Sequence, residues 1–232
     1  MKMGGLMITV VGGIKGGTGK TTIATNLAVI GSHLGKKVLL VDADEQESAY
    51  DWAEQRDSYW KERVEGGALE TCPTLNFPTI KLGGKLLYEQ LRRFRNDYDD
   101  IVVDTGGRDT TSQRSALLIA DVFLIPFKPR SFDIWTIGKV RTLIEECMIH
   151  NRTIQILVCI NQGDSRGLDN DETFKILEEI PHFKVVTASI GHRKAFSNAS
   201  AQGLGVYELE KKDAKAADEI YAVYDAIHAV NA

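Results

Sequence analysis

Short aliphatic and β-branched runs recur along the chain at residues 6–11, 38–41, 100–104, 122–126 and 154–160, with a weaker one at roughly 184–188. They are apolar throughout rather than alternating, as strands covered on both faces are. Between the first two, Ile23, Leu27, Ile30 and Leu34 share one helical face, and Gly35 is placed to close that helix. Helical patterns also cover about 84–96, 111–120, 132–150 and 214–230, and an amphipathic segment bearing Trp52 and Trp60 follows Asp44. Alternating strand and helix predict an α/β fold, a doubly wound, mostly parallel sheet with helices on both faces. Ligands of such sheets bind beyond the carboxyl ends of the strands. The loop before Thr21, with Asp42, Asp44, Asp104 and Asn161, is thereby expected on one rim.

The turn between the first strand and the first helix carries the chemistry. Lys15-Gly16-Gly17-Thr18-Gly19-Lys20-Thr21-Thr22 reads as a phosphate-binding P-loop, with Ile14 where the ordinary pattern has its first glycine. Gly16, Gly17 and Gly19 free the backbone to turn amides inward, and the helix that follows offers its positive end. Lys20 is expected on the β- and γ-phosphates of ATP and the Thr21 hydroxyl on Mg²⁺. Asp104 ends an apolar strand, a place from which a carboxylate can hold the water shell of that metal. Asp42 and Asp44 stand two apart at another strand end, one expected to face the metal and the other the γ-phosphate. A carboxylate beside that phosphate can orient the attacking water.

Composition narrows the class. The 232 residues, 43% hydrophobic and 26% charged, suit a single domain over 1–232 with one sizeable core. No apolar stretch is long enough to span a bilayer, and Met1 to Leu6, short and glycine-rich, is not expected to act as a secretion signal. Cys72, Cys147 and Cys159 are too scattered for a metal site or a disulfide framework and suit a reducing cytoplasm. A net charge of −4 leaves nucleic-acid binding open, because a local basic patch decides it.

The string from Lys15 to Thr22, the strand end Val41-Asp42-Ala43-Asp44, and Ile101-Val102-Val103-Asp104-Thr105 resemble the deviant-Walker ATPases of the ParA/MinD group. The segment from Ile125 through Pro126 and Pro129 to Asp133, and the Gly203-to-Glu208 stretch, are similar to ParA-type partition proteins of the short, ParF-like kind. The resemblance implies an ATPase that dimerises around two Mg-ATP molecules, with Lys15 as the signature lysine crossing to the partner's nucleotide. Two triphosphates facing one another carry a large negative charge, which a lysine from each side offsets. It also assigns Lys20 and Asp44 to catalysis, Asp42 and Asp104 to the metal, and Asn161 to the adenine side. The departures, Ile14, Glu45 and the Thr105-Gly106-Gly107 turn, imply altered loop detail rather than lost activity.

The same resemblance implies movement of a plasmid or chromosomal cargo. The ATP-bound dimer would bind DNA without sequence preference and sit on the nucleoid in the cytoplasm, and a small centromere-binding or adaptor protein would stimulate hydrolysis. The P-loop lies so near residue 1 that no helix-turn-helix domain is expected before it. Arg193 and Lys194, then Lys211, Lys212 and Lys215, are the candidate DNA contacts. Positioning of a cargo other than DNA and a metabolic P-loop ligase are the alternatives. A membrane-cycling protein would end in a basic amphipathic helix, whereas the last helix here holds Asp218, Glu219 and Asp225. A reductase bridging two subunits through an iron cluster would need cysteines placed for it.

Overall fold

Among the described residues all the strand pairs are parallel, in the order β3-β2-β4-β1-β5-β6-β7, with β8 also against β6. The strands are β1 Met7–Val11, β2 Val38–Asp42, β3 Thr79–Lys81, β4 Asp100–Asp104, β5 Val122–Phe127, β6 Gln155–Gly163, β7 Phe183–Val185 and β8 Ile190–Gly191. The helices are α1 Lys20–His33, α2 Ser48–Glu65, α3 Leu87–Phe94, α4 Thr111–Leu117, α5 Ile137–His150, α6 Asp169–Glu178, α7 Lys194–Ser200 and α8 Ala214–Ala229. These elements come from a computed structural model that describes residues 6–67, 77–129, 137–164 and 169–230.

Neighbouring residues of each strand feed opposite cores. Met7, Leu40, Val102, Leu124 and Leu157 point into a cluster with α1, α2, α7 and α8. Ile8, Leu39, Ile101, Phe123 and Ile156 point into a second cluster with α3, α4, α5 and α6. Both faces of the sheet are therefore covered, which is why its strands read as unbroken apolar runs. Trp52 packs in the first cluster with Trp60 half-buried against it, as core residues. Cys147 and Cys159 are buried free thiols, their pKa pushed up by burial to about 11 and about 12.

The chain winds from β1 out to β2 and β3, returns to β4 beside β1, then crosses to β5 on the other side. β1 is thus the switch point of the sheet, where ligands bind in folds of this kind. The sequence pattern differs from the structure at the margins. β3 and β8 carry no run of apolar residues and escape it, as do the short helices α6 and α7. The helix expected over 84–96 opens as a 3₁₀ turn at Gly84–Leu86, because Gly84 is left-handed at φ +70°, and α3 ends at Phe94. The strand expected at roughly 184–188 is β7, which starts at Phe183 and stops at Val185. Cys72, Arg130–Asp133 of the proline-containing segment and the start of the 132–150 helix lie outside the described residues.

Candidate nucleotide site

The P-loop is pinned at both ends before any ligand arrives. Gly12 donates its amide to the Leu124 carbonyl at 3.0 Å, and Gly13 donates to Gln113 Oε1 at 3.0 Å. Gln113, fully buried on α4, also accepts from the Thr105 hydroxyl at 2.9 Å, so one side chain joins the P-loop to the turn after β4. Gln113 belongs to no motif, and nothing in the sequence singles it out. At the other end Asn161 Nδ2 donates to the Thr18 carbonyl at 2.6 Å. Gly17 and Gly19 are left-handed, at φ +72° and +86°. A side chain at Gly19 would run into the Asn161 amide, so glycine is needed there twice over. Helix α1 begins at Lys20 with no side chain on its first amides, which leaves them for an anion.

Lys20 is buried within this loop, and its ammonium donates to the Lys15 carbonyl at 3.0 Å. Burial lowers its pKa, with Asp104 and Asp44 opposing. Asp104 is wholly buried, and neither of its carboxylate oxygens meets a donor in hydrogen-bond geometry. Burial pushes its pKa up to about 7; the Thr21 hydroxyl and Lys20 pull it down, while Asp42 and Asp44 add to the rise. A buried acid so weakly compensated costs stability unless something positive arrives.

Both oxygens of Asp42 are engaged by backbone amides. Its Oδ1 accepts from the Asp44 amide at 3.0 Å, and its Oδ2 accepts from the Tyr50 amide at 2.8 Å. It ties the end of β2 to the first turn of α2 and shapes the turn that presents Asp44. Burial raises its pKa, against the pull of these backbone amides. Asp44 is half-exposed and accepts from the Gln46 amide at 3.2 Å. The two glycines after Thr105 follow from this crowding. A Cβ on Gly106 would stand 2.8 Å from Asp44 Oδ1, and one on Gly107 would stand 2.6 Å from the Gly16 nitrogen. The turn after β4 therefore lies directly against both the P-loop and the Asp44 loop.

A cleft of about 540 Å³ adjoins the loop, bordered by Gly19, Thr22, Asn161, Gln162, His192 and Phe196 among others. Its size is that of a small-molecule site. Gln162 adopts φ +56°, where β6 changes register between Asn161 and Gly163 against β8. Strained backbone of this sort gathers at binding sites. The Lys128 ammonium lies 3.9 Å from where a Gly17 Cβ would stand, a cation beside the loop that the P-loop pattern does not contain.

The basic residues divide into two places. Arg193 is held by Glu219, at 2.8 Å from Nε, and Glu219 also accepts from the Gly191 amide at 3.0 Å. That ion pair fastens the end of β8 to α8, and Arg193 remains part-exposed at the edge of the cleft. Lys194 borders the nucleotide-side cleft. Lys211, Lys212 and Lys215 border a separate groove of about 890 Å³ on the other side of α7, with Arg63 and Tyr59. Among the described residues no group of three or more His, Cys, Asp or Glu side chains could hold a metal ion. No helix there is long and apolar enough to cross a membrane.

Residues 8–206 match the family model described as the CobQ/CobB/MinD/ParA nucleotide binding domain. The chain is 27% identical over 218 residues to a maintenance of carboxysome distribution protein A of Halothiobacillus neapolitanus, covering 94% of both chains. It is 31% identical over 211 residues to the protein of that name from Gloeobacter kilaueensis, covering 89% of this chain and 87% of the other. In structure it is similar to the ATP complex of a Cyanothece McdA variant, with a TM-score of 0.74 at 18% identity over 97% of this chain and 96% of that one. It is also similar to the cell division protein MinD of Aquifex aeolicus, with a TM-score of 0.73 at 22% identity over 95% and 96%.

Proposed function

The chain belongs to the CobQ/CobB/MinD/ParA family as a ParA/MinD-type ATPase of partition or positioning, and we propose that it works as an ATP-gated dimer on DNA. Two copies close face to face over two Mg-ATP molecules, each lending Lys15 to the other's phosphates. Closure favours non-specific DNA binding, and an adaptor protein on the cargo triggers hydrolysis and release.

The observation that carries this reading is the wholly buried Asp104 carboxylate, its charge disfavoured by burial, beside Lys20 and Thr21. Mg²⁺ is usually bound through one or two carboxylates, substrate phosphates and several waters, and the donor set here fits that habit. Thr21 and Asp104 would hold the ion, with Asp42 behind them organising the loop. The metal supplies charge neutralisation for the phosphates when bound. Lys20 and the P-loop amides orient the triphosphate, Asn161 and the adjoining cleft take the nucleoside, and Lys128 adds a cation beside Gly17. Asp44 accepts from the attacking water and lines it up, so positioning and electrostatics do most of the catalysis.

Lys211, Lys212 and Lys215 supply the DNA contacts, with Lys194 nearer the nucleotide. The test is a mobility assay with arbitrary duplex at rising salt. A shift that needs ATP, weakens with salt and disappears on reversing Lys211, Lys212 and Lys215 to glutamate supports the reading. No shift at low salt removes the DNA clause. A second reading keeps the motor and changes the cargo. Two relatives carry names that refer to carboxysome distribution, which favours a large protein body as the object positioned.

A further inference from the structure

Arg56 and Glu208 form a two-pronged ion pair, with NH1 and NH2 each 2.6 Å from a carboxylate oxygen. Their side chains are 2% and 3% exposed. The guanidinium is ringed by Trp52, Trp60 and Phe77, at 5.5, 5.7 and 5.4 Å from the ring centres. Its NH1 also reaches the Gly203 carbonyl at 3.1 Å. A side chain at Gly203 would strike the backbone of Arg56 itself, so α2 rests on the 203–208 turn by direct main-chain contact. A buried ion pair contributes little stability over an apolar pair of equal volume, whereas a planar fork fixes distance and rotation together.

We infer that the Arg56–Glu208 pair is a positioning device for hydrolysis, holding α2 at the rotation and depth that place Asp44. The inference rests on the reading of Asp44 as the water-orienting acid. Arg56 lies six residues, about 9 Å along the helix, from Tyr50, whose amide is held by Asp42 in the turn presenting Asp44. Shifting α2 therefore shifts Asp44. The phosphate cradle is braced by β1, α1, Gln113 and Asn161, none of them on α2, so a change in α2 is felt first by Asp44. The 203–208 turn is itself anchored on α1, where Asn26 Oδ1 accepts from the Val206 amide at 2.9 Å. The pair thus references the catalytic loop to the helix that begins at the phosphates.

The experiment measures kcat, Kd for a fluorescent ATP analogue and melting temperature in Arg56→Lys, the double variant Arg56→Met with Glu208→Leu, and Asp44→Asn. The double variant is expected to melt near the native protein and bind the analogue within about threefold, with kcat down at least about tenfold. Arg56→Lys, which keeps charge but lacks the fork, is expected to show the same split between kcat and Kd. Native kcat in the double variant, with Asp44→Asn inactive, overturns the inference alone. Should the double variant not fold, native kcat in Arg56→Lys does so. Native turnover in Asp44→Asn removes the premise, and the inference with it.

Discussion

Asn161 donates its side-chain amide to the Thr18 carbonyl at 2.6 Å, bridging 143 residues of sequence to join the end of β6 to the phosphate loop. The bond makes Asn161 a strut of the cradle as well as a wall of the adjoining cleft. Asn161→Ala should weaken ATP binding by about fivefold to tenfold, the worth of one buried hydrogen bond. Titration calorimetry with ATP and ADP checks it, and similar losses for the two nucleotides are expected, since the bond braces the loop backbone itself. Unchanged affinity would mean that the loop holds its form without the strut.

Lys20→Ala should abolish measurable nucleotide binding, because the residue is buried among the loop carbonyls with two acids nearby. Lys128→Ala removes a cation from the edge of the loop only and should cost ATP affinity about threefold to tenfold. A protein that binds ATP normally after loss of Lys20 would contradict the P-loop assignment.

Asp44→Ala should leave ATP binding within a factor of about three and slow hydrolysis at least about a hundredfold. The ATP-loaded species should then accumulate as a dimer in sedimentation velocity. Normal single-turnover rates would hand the water-orienting role to another group.

Asp104 makes stability and ligand binding depend on pH. Burial raises its pKa from 3.8 to about 7, so between those values the folded protein holds a proton that the unfolded chain has lost. The favourable contribution is therefore complete below pH 3.8 and is lost as pH rises through 7, by up to about 4 kcal/mol. Asp104→Asn should gain on the native protein in melting temperature from pH 5 to pH 8 without nucleotide. Mg-ATP binding to the native protein at pH 6 should release close to one proton, read by calorimetry in buffers of different ionisation heat. Absence of proton release would place the charge of Asp104 elsewhere.

Glu208 behaves in the opposite sense. Burial works against its charge, but the Arg56 fork, His33 and the Gly205 amide outweigh it and hold the pKa down from 4.5 to about 2. Its contribution, on the order of 3 kcal/mol, is present above pH 4.5 and disappears as pH falls toward 2. Glu208→Gln should melt about 6–12 °C below the native protein at pH 7, and the two curves should converge below about pH 3. A gap that persists unchanged in acid would show that the carboxylate charge is not what matters.

Much of this molecule could be read along the chain because the information is local. Strands buried on both faces must be continuously apolar, and a loop that turns its amides onto phosphate must have glycines where the backbone goes left-handed. Asp42, Asp44 and Asp104 were legible as strand-end acids, since a parallel sheet delivers its strand ends to one rim. What each acid does there was not. Asp42 proved to be tied to the amides of Asp44 and Tyr50, and Asp104 to be wholly buried beside Lys20 and Thr21, which lie far away in sequence.

By itself the sequence determined the α/β class and the seating of a glycine- and lysine-rich loop at the amino end of α1, because spacing and residue type suffice for these. Tertiary structure alone decided that Gln113 and Asn161 brace the loop, that Gly106 and Gly107 admit the Asp44 loop and the P-loop, and that Arg193 is bound to Glu219. It also decided the union of Arg56 with Glu208, 152 residues apart. Hydrogen bonds and close approaches between distant segments leave no periodicity in the chain, and they exist only once the sheet has brought its ends together.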